Sequence, residues 1–321
     1  MNSSTPRPGR RVSRRAALSL AAGVSVALAL TACGSGGNPL SNSAGSASGG
    51  AGGSVVVGSA DFPESATIAE IYAGALNAAG VTATTKLNIG AREIYLKAVQ
   101  DGSIDIVPDY SGNLLGYVDK TNTVTDPAGI LKALPSKLPA GLGVLDAASA
   151  QDKDAMVVTK VTAQKYGGLK SIEDLAKVCD KLTLGAPPEF ATRPYGLPGL
   201  KDKYNCVPKF SPIGDSGGPL TVKALLDDTV QVADIYTTTP AITDNDLVVL
   251  QDPKNNWLAQ QVLPVIKTDK VSDTAKTALN NVSKQLTTDD LISLNRLVSG
   301  DQKLSPKAAA DQWLKDKGIV K

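Results

Sequence analysis

Hydrophobic and polar positions follow two periodicities that alternate along most of this chain. Residues 54–60, SVVVGSA, form a β-branched run that predicts a buried strand. Residues 66–79 have helical periodicity, follow Pro63 and Glu64, and stop at Gly80, as a capped helix does. Because strand, helix, strand, helix and strand succeed one another within about 55 residues, the pattern predicts a doubly wound, parallel α/β sheet.

One pattern occurs twice. Residues 97–112, KAVQDGSIDIVPDYSG, and residues 223–238, KALLDDTVQVADIYTT, each predict the end of a helix, a turn, a buried strand and a tyrosine. Tyr110 and Tyr236 occupy matching positions in the two segments. Open α/β sheets bind their ligands at the carboxyl ends of strands. The repeat therefore predicts two similar lobes, each presenting one tyrosine; chance likeness between two ordinary α/β units is the alternative.

The same criteria assign elements to the rest of the chain. Further strands are predicted at residues 85–89, 104–107, 143–148, 155–160, 182–186 and 230–235. Further helices are predicted to open at residues 90, 127 and 171, and to cover residues 221–226, 271–286, 288–298 and 305–316. Residues 187–200 are predicted to form a long loop, and residues 247–250 to return to the first lobe. The last three helices are expected to pack onto that lobe.

The first 53 residues have the pattern of an exported, tethered protein. Five arginines precede an apolar run at residues 16–30 that ends in LTAC, which predicts a lipoprotein signal peptide at residues 1–32. Lipid on Cys33 would hold the chain on the outer face of the cell membrane. Residues 33–53, mostly Gly, Ser and Ala, predict a flexible tether. Residues 13–15, SRR, loosely resemble a twin-arginine signal, so the export route stays open.

Composition narrows the chemistry of the chain. The formal net charge is +2, and removal of the arginine-rich leader leaves a weakly acidic chain with no basic stripe for nucleic acid. Histidine is absent, and no phosphate-binding glycine motif occurs. We therefore expect a binding protein, not an enzyme, with no cofactor and no metal. Cys179 and Cys206 remain in an exported protein, which predicts a disulfide between them.

Residues 214–219, GDSGGP, match the segment around the nucleophile of chymotrypsin-like proteases. That chemistry requires a base, normally histidine, to take the serine proton. Because the chain has no histidine, the motif predicts instead a glycine-rich turn that opens the helix near Thr221. A variant of this interpretation places the backbone amides of the turn at the rim of a pocket.

Several segments together resemble the substrate-binding proteins of osmoprotectant ABC importers, the glycine betaine/carnitine/choline class of the ProX or OpuAC type. These segments are residues 55–65, 88–117, 187–204 and 232–252. The resemblance implies a periplasmic-binding-protein-like fold of type II, with two α/β lobes joined by two crossover strands. With the polar step at residues 151–154 taken as the crossing, lobe 1 would comprise residues 54–152 plus 251–321, and lobe 2 residues 153–250.

The resemblance also implies a function. The lobes close about a hinge on a compatible solute such as glycine betaine or choline. The closed form delivers the solute to a membrane permease, whose ATPase subunit supplies the energy. The chain itself then needs no cofactor and is expected to be a monomer.

Binding residues are inferred from the resemblance position by position. Members of the family hold a quaternary ammonium in an aromatic cage, so Tyr110 in DYSG and Tyr236 in IYTT are predicted as opposite walls. Arg193 is the candidate partner of a substrate carboxylate. The candidate ligand-binding residues are Asp61, Phe62, Asp109, Tyr110, Ser111, Asp154, Phe190, Arg193, Tyr195, Tyr236 and Thr237.

Two positions depart from the family pattern. Asp154 stands where betaine-binding members often have an aromatic residue, and Leu197 stands where some have tyrosine. The cage is therefore incomplete, and Asp154 favours either a cation without a carboxylate, such as choline, or a polyol or other neutral solute. A solvated hinge residue is the alternative role for Asp154. Transport of a different small molecule is the alternative function, with an enzyme or a sensory lipoprotein as more distant ones.

Overall fold

Two α/β lobes make up the part of the chain that the computed structural model describes, residues 54–300 and 302–321. Each lobe is built on a five-stranded sheet. The predicted signal peptide, Cys33 and the tether lie outside the described residues. Within them, every helix is too short or too polar to cross a membrane.

The elements alternate as the sequence pattern predicts. The strands are β1 (Val55–Gly58), β2 (Ala83–Lys86), β3 (Ile106–Tyr110), β4 (Leu142–Val144), β5 (Met156–Val158), β6 (Thr183–Ala186), β7 (Lys209–Pro212), β8 (Val232–Asp234), β9 (Val248–Val249) and β10 (Val262–Lys267). The helices are α1 (Pro63–Ala78), α2 (Arg92–Asp101), α3 (Ser111–Val118), α4 (Pro127–Lys137), α5 (Lys160–Lys165), α6 (Ile172–Ala176), α7 (Leu197–Tyr204), α8 (Pro219–Leu226), α9 (Ala241–Asp244), α10 (Asp273–Gln285), α11 (Thr288–Ser299) and α12 (Pro306–Asp316). Two 3₁₀ turns cover Cys179–Lys181 and Pro188–Ala191.

The two sheets have the same arrangement. Their strand orders are β2-β1-β3-β10-β4 and β7-β6-β8-β5-β9. In the first, β1 pairs in parallel with β2 and β3, while β10 is antiparallel to β3 and β4. In the second, β6 pairs in parallel with β7 and β8, while β5 is antiparallel to β8 and β9. The prediction of two similar lobes is confirmed, since β3 and β8 hold equivalent central positions.

The predicted parallel arrangement is confirmed for β1, β2 and β3, but one strand in each lobe, β10 or β5, runs in the opposite direction. Strand β5 enters lobe 2 directly from lobe 1, and β10 enters lobe 1 directly from lobe 2. Neither is preceded by the crossover helix that a parallel neighbour requires, so each runs antiparallel to the central strand.

Each lobe has its own hydrophobic core. In lobe 1 the buried side chains of α1 pack against α10, α11 and α12, with Leu279, Leu294 and Trp313 in the same cluster. The expected packing of the three C-terminal helices onto lobe 1 is therefore confirmed. In lobe 2 the core includes Cys179 and Cys206. They form the predicted disulfide, with 5.4 Å between their Cα atoms.

Two antiparallel segments connect the lobes. Ala148 N donates to Val262 O at 2.8 Å, Val262 N donates to Ala150 O at 3.0 Å, and Asp152 N donates to Gln260 O at 3.2 Å. This pairing places Asp152 and Asp154 at the junction of the lobes. The two-lobed, type II arrangement follows, while the lobe limits at residues 152 and 250 stay a prediction.

The hydrophobic pattern missed or misplaced several elements, mainly where a proline or a short length weakened the signal. Residues 247–250 do not return to lobe 1, because β9 pairs with β5 in the sheet of lobe 2. The returning strand is β10, whose interior Pro264 argues against a central strand in the sequence. The predicted loop at residues 187–200 contains a 3₁₀ turn and the start of α7. Helix α3 and strand β7 were also missed.

Candidate ligand-binding site

A small cavity of about 40 Å³ lies where the two lobes meet. We call it the inner cavity. It is lined by both lobes and by the crossover segment. Seven of the predicted ligand-binding residues line it: Asp61, Phe62, Tyr110, Asp154, Arg193, Tyr195 and Tyr236. The site that they form stays a prediction, but the fold brings them together from distant parts of the chain.

Three neighbouring aromatic rings line the inner cavity. Tyr110 ends β3, and Tyr236 follows β8, the equivalent strand of the other lobe. The ring of Phe62 is 6.2 Å from the ring of Tyr110 at an interplanar angle of 30°. It is 5.5 Å from the ring of Tyr236 at 67°. The two matched tyrosines therefore reach one cavity from opposite lobes, with Phe62 beside both.

A buried carboxyl group holds Tyr110 in place. Glu64 Oε1 accepts a 2.6 Å hydrogen bond from Tyr110 Oη, and Oε2 accepts from Thr238 Oγ1 and Asn295 Nδ2, each at 2.6 Å. Burial raises the pKa of Glu64, although these hydrogen bonds act in the opposite direction. Because Thr238 belongs to lobe 2, the network also joins the lobes. Sequence analysis missed Glu64, since an acid in the first turn of a helix is ordinarily explained by the helix dipole.

Arg92 lines the inner cavity and is fully paired behind it. Its Nη2 lies 2.8 Å from Asp109 Oδ1, and its Nε lies 3.2 Å from both carboxylate oxygens. Asp109 is completely buried. Burial alone would lower the pKa of the Arg92 guanidinium, but Asp109 raises it well above its usual value. Asp109 thus lies behind the cavity wall and neutralises Arg92.

Arg193 bridges the cleft between the lobes. Its Nη1 donates to Tyr195 Oη at 2.8 Å. Its Nη2 lies 3.3 Å from Glu93 on α2 of lobe 1 and 3.5 Å from Glu189. The guanidinium is therefore already compensated by two carboxylates, which weakens the expectation that it pairs with a carboxylate of the ligand.

Asp154 is buried at the crossover and faces the inner cavity. Its side chain is held from lobe 1, where Asn113 Nδ2 donates to Asp154 Oδ2 at 2.9 Å. Asn113 is in turn fixed by the second crossover, because its N donates to Gln260 Oε1 at 2.9 Å and its Oδ1 accepts from Gln260 Nε2 at 2.5 Å. Asp154 is 8% exposed, so it is not a solvated hinge residue.

Two further acids lie beside Asp154. Asp152 lines the inner cavity and accepts from Thr238 N at 3.0 Å and from Thr237 Oγ1 at 3.2 Å. Asp234 ends β8 and is 1% exposed, and its Oδ1 has no hydrogen-bond partner among the described residues. Burial and the neighbouring Asp154 raise the pKa of Asp234 well above its usual range. Burial and Glu64 do the same to Asp152.

Four predicted residues do not reach the inner cavity. Asp109 pairs with Arg92 behind its wall, and Thr237 contacts Asp152 at the crossover. Ser111 Oγ donates to Ala259 O at 3.1 Å and accepts from Gln261 N at 3.0 Å. Phe190 is buried in the core of lobe 2, with its ring 6.4 Å from that of Tyr195 at 81°. Leu197 packs against the same core.

The GDSGGP segment opens α8, as the sequence predicts. Asp215 Oδ2 accepts from Leu220 N at 2.6 Å and from Thr221 N at 3.2 Å, which satisfies the first amides of the helix. Gly217 has a φ of 75°, and a Cβ there would lie 2.9 Å from Asp234 O. Ser216 lines the inner cavity, so the turn also lies at its rim.

Comparison with known proteins connects this geometry to a family. Residues 53–316 match the model of the OpuAC family, described as the substrate-binding domain of ABC-type glycine betaine transport systems. The chain is also 27% identical over 281 residues to the glycine betaine-binding protein YehZ of Escherichia coli (strain K12), covering 83% of this chain and 92% of that protein.

Two solved structures have a similar fold. A crystal structure of a glycine betaine/carnitine/choline ABC transporter matches with a TM-score of 0.66 and 24% identity, over 83% of this chain and 99% of that one. Lactococcal OpuAC, closed and complexed with glycine betaine, matches with a TM-score of 0.59 and 16% identity, over 83% of this chain and 96% of that one. At these identities the likeness shows a shared fold and nothing more.

Proposed function

We propose that this chain, which belongs to the OpuAC family of substrate-binding domains of ABC-type glycine betaine transport systems, captures a quaternary ammonium solute between its two lobes. As a member of that family it is the extracytoplasmic solute-binding component of an ABC importer, and it works with a membrane permease. The proposal concerns which solute the inner cavity holds and which residues hold it.

One observation carries the choice of ligand: aromatic rings and buried acids meet in the same cavity. Tyr110, Tyr236 and Phe62 offer ring surfaces, and a cation within about 6 Å of such a ring is attracted to it. Asp152 and Asp154 line the same space. Rings that attract a cation, next to carboxyl groups that balance its charge, suit a quaternary ammonium group.

The charge distribution favours a cation that lacks a carboxylate. Arg92 is paired with Asp109, and Arg193 with Glu93 and Glu189. Neither guanidinium is free for a ligand anion, and a betaine carboxylate would also face Asp154. Choline, whose hydroxyl can donate to a carboxylate, therefore fits better than glycine betaine.

A calorimetric titration tests this proposal. Choline should bind the purified chain more tightly than glycine betaine. Replacing Tyr236 with alanine should weaken choline binding about tenfold or more, because the cation loses a desolvated aromatic face. Tyr117→Ala is the control, since Tyr117 is exposed on α3 and lies outside the inner cavity. If no quaternary ammonium compound gives a binding signal, the proposal is refuted.

A neutral polyol is the second candidate. Asp152 and Asp154 could accept hydrogen bonds from hydroxyl groups in the absence of any cation. Including a polyol series in the same titrations separates the two ligands. Polyol binding that survives Tyr236→Ala would favour this alternative, because a hydroxyl ligand does not depend on an aromatic face.

We also propose that lipid on Cys33 anchors the chain to the outer face of the membrane. The support is the apolar run that ends in LTAC at residues 30–33. We propose further that the chain acts as a monomer, reaches the ATPase only through the permease, and has no catalytic activity. Cys33→Ala should release the protein from the membrane fraction, and mass spectrometry of incubated choline should show no product.

A further inference from the structure

A second, larger space adjoins the inner cavity at Phe62. We call it the outer groove, and its volume is about 450 Å³. Both spaces share Phe62, Tyr236 and Ser216 as lining residues. The two spaces therefore meet at these three side chains.

The outer groove is mainly apolar, and both lobes form it. Its apolar surface comes from Pro63, Pro219, Val222, Leu226, Pro240 and Ala241. Lobe 1 adds the end of α11, including Asn295 and Ser299. At its edge Arg296 Nη1 of lobe 1 lies 2.9 Å from Asp244 Oδ2 of lobe 2. Since both lobes contribute, the groove exists in this form only when the lobes are closed.

The volumes of the two spaces indicate which part of a ligand each could hold. A cavity of about 40 Å³ holds roughly three water molecules, which is less than a trimethylammonium group occupies. A volume of about 450 Å³ lies within the ordinary range of small-molecule pockets. Phe62 precedes α1 and is half-buried at the edge of two hydrophobic clusters of lobe 1, so rotation of its side chain would join the spaces at the cost of those edge contacts. The displaced ring fills only a small part of the groove.

We propose that the outer groove receives the apolar substituent of a quaternary ammonium ligand whose cationic head occupies the inner cavity once Phe62 has turned aside. This inference rests on the proposed function and extends it to a ligand class: cations with an apolar chain of several carbons, such as choline esters. Carboxyl groups and rings lie at the inner end, and proline and aliphatic side chains lie at the outer end. The polarity of the two spaces thus matches the two ends of such a molecule.

Titrating the purified chain with choline, acetylcholine, butyrylcholine and hexanoylcholine tests the inference. Each methylene that enters the groove should tighten binding by about fourfold, because burying it removes apolar surface from water. Leu226→Gln should reduce this gain, because Leu226 lines the groove at 45% exposure. The same change should alter choline affinity much less than that of the longer esters, because choline has no acyl chain to place against Leu226.

Leu220→Gln is the matched control. Leu220 lies on the same helix, is 65% exposed and does not line the groove. It should leave the whole ester series unchanged, and both variants should unfold at the wild-type temperature. Affinity that does not change with chain length, while choline binds, would overturn the inference and leave the proposed function standing. Equal effects of the two substitutions would also overturn it. Failure of every cation to bind would refute both.

Discussion

At the residue scale, several buried acidic side chains meet at the inner cavity. Asp152, Asp154 and Asp234 lie close together at the crossover, while Arg92 and Arg193 are paired with other acids. The pKa values of Asp152 and Asp234 are raised, because burial and the neighbouring acids both disfavour the charged form. A bound cation would relieve that repulsion. Capture of a cation and ionisation of these groups therefore favour each other.

The substitution Asp234→Asn tests how much the buried acid lowers the free energy of unfolding of the ligand-free protein as pH rises. The pKa of Asp234 is raised by burial and by Asp154. Its neutral form therefore favours folding below the unfolded pKa of about 4, and this advantage is lost as pH rises through the folded pKa. Relative to the variant, the wild type should lose stability as pH rises above about 4, with a slope of at most about 1.4 kcal/mol per pH unit for one proton. Urea unfolding at several pH values measures the difference.

Asp101→Asn is the control for that series. Asp101 lies at the exposed end of α2, and hydrogen bonds from Ser103 lower its pKa. Its contribution is therefore present above its unfolded pKa and constant from about pH 5 upwards. A pH-dependent difference of the same sign in both variants would contradict the explanation given for Asp234.

Aromatic candidates were easier to predict than acidic ones. Tyr110 and Tyr236 stood out because the chain repeats the pattern around them. Glu64, Asp152 and Asp234 did not, because their environment depends on contacts between distant segments, such as Glu64 with Asn295. A short sequence motif can show that a tyrosine or an acid stands at the end of a strand. It does not indicate which other chain segments will bury that side chain and exclude water from it.

At the scale of elements, the repeat predicted more of the fold than any single motif. Strands β3 and β8 hold the same position in their sheets, and each delivers a tyrosine to the inner cavity. Strand β10 could not be predicted in the same way. Its Pro264 lies opposite Pro108 of β3, and proline is normally excluded from central strands. Tertiary contacts overrode local preference there.

The disulfide gives an element-scale prediction. Cys179 and Cys206 are separated by 27 residues, and this segment supplies Glu189, Arg193 and Tyr195 to the inner cavity. Replacing both cysteines with serine should cost on the order of 3 kcal/mol of unfolding free energy, because the unfolded chain gains conformational freedom. Chemical unfolding measures this loss. Choline affinity should also fall. An unchanged affinity would mean that packing within lobe 2 is enough to position this segment when the disulfide is absent.

At the scale of the whole molecule, a few polar contacts hold the lobes in the closed arrangement. Arg193 contacts Glu93, Arg296 contacts Asp244, and Thr238 donates to Glu64. The first two pairs are partly exposed and contribute little. The third is buried, so its loss leaves a carboxyl oxygen with one donor fewer in a place that water does not reach.

Thr238→Val should therefore favour the open form. The loss of a buried hydrogen bond costs about 1–3 kcal/mol, which corresponds to roughly a five- to 150-fold loss of choline affinity. Small-angle X-ray scattering with choline present should show a larger radius of gyration than for the wild type. Thr67→Val is the matched control, since Thr67 is equally buried but donates to Pro63 O within α1. Equal effects of the two changes would mean that Thr238 acts through general stability and not through closure.

The position of the disulfide has a consequence for where solute can be captured. The bond closes the segment that carries Arg193 and Tyr195, and such bonds form outside the cytoplasm. Until the bond forms, no covalent link crosses this part of the binding surface, so the reduced chain should hold solute more weakly than the oxidised one. Full affinity is therefore expected only in an oxidising compartment.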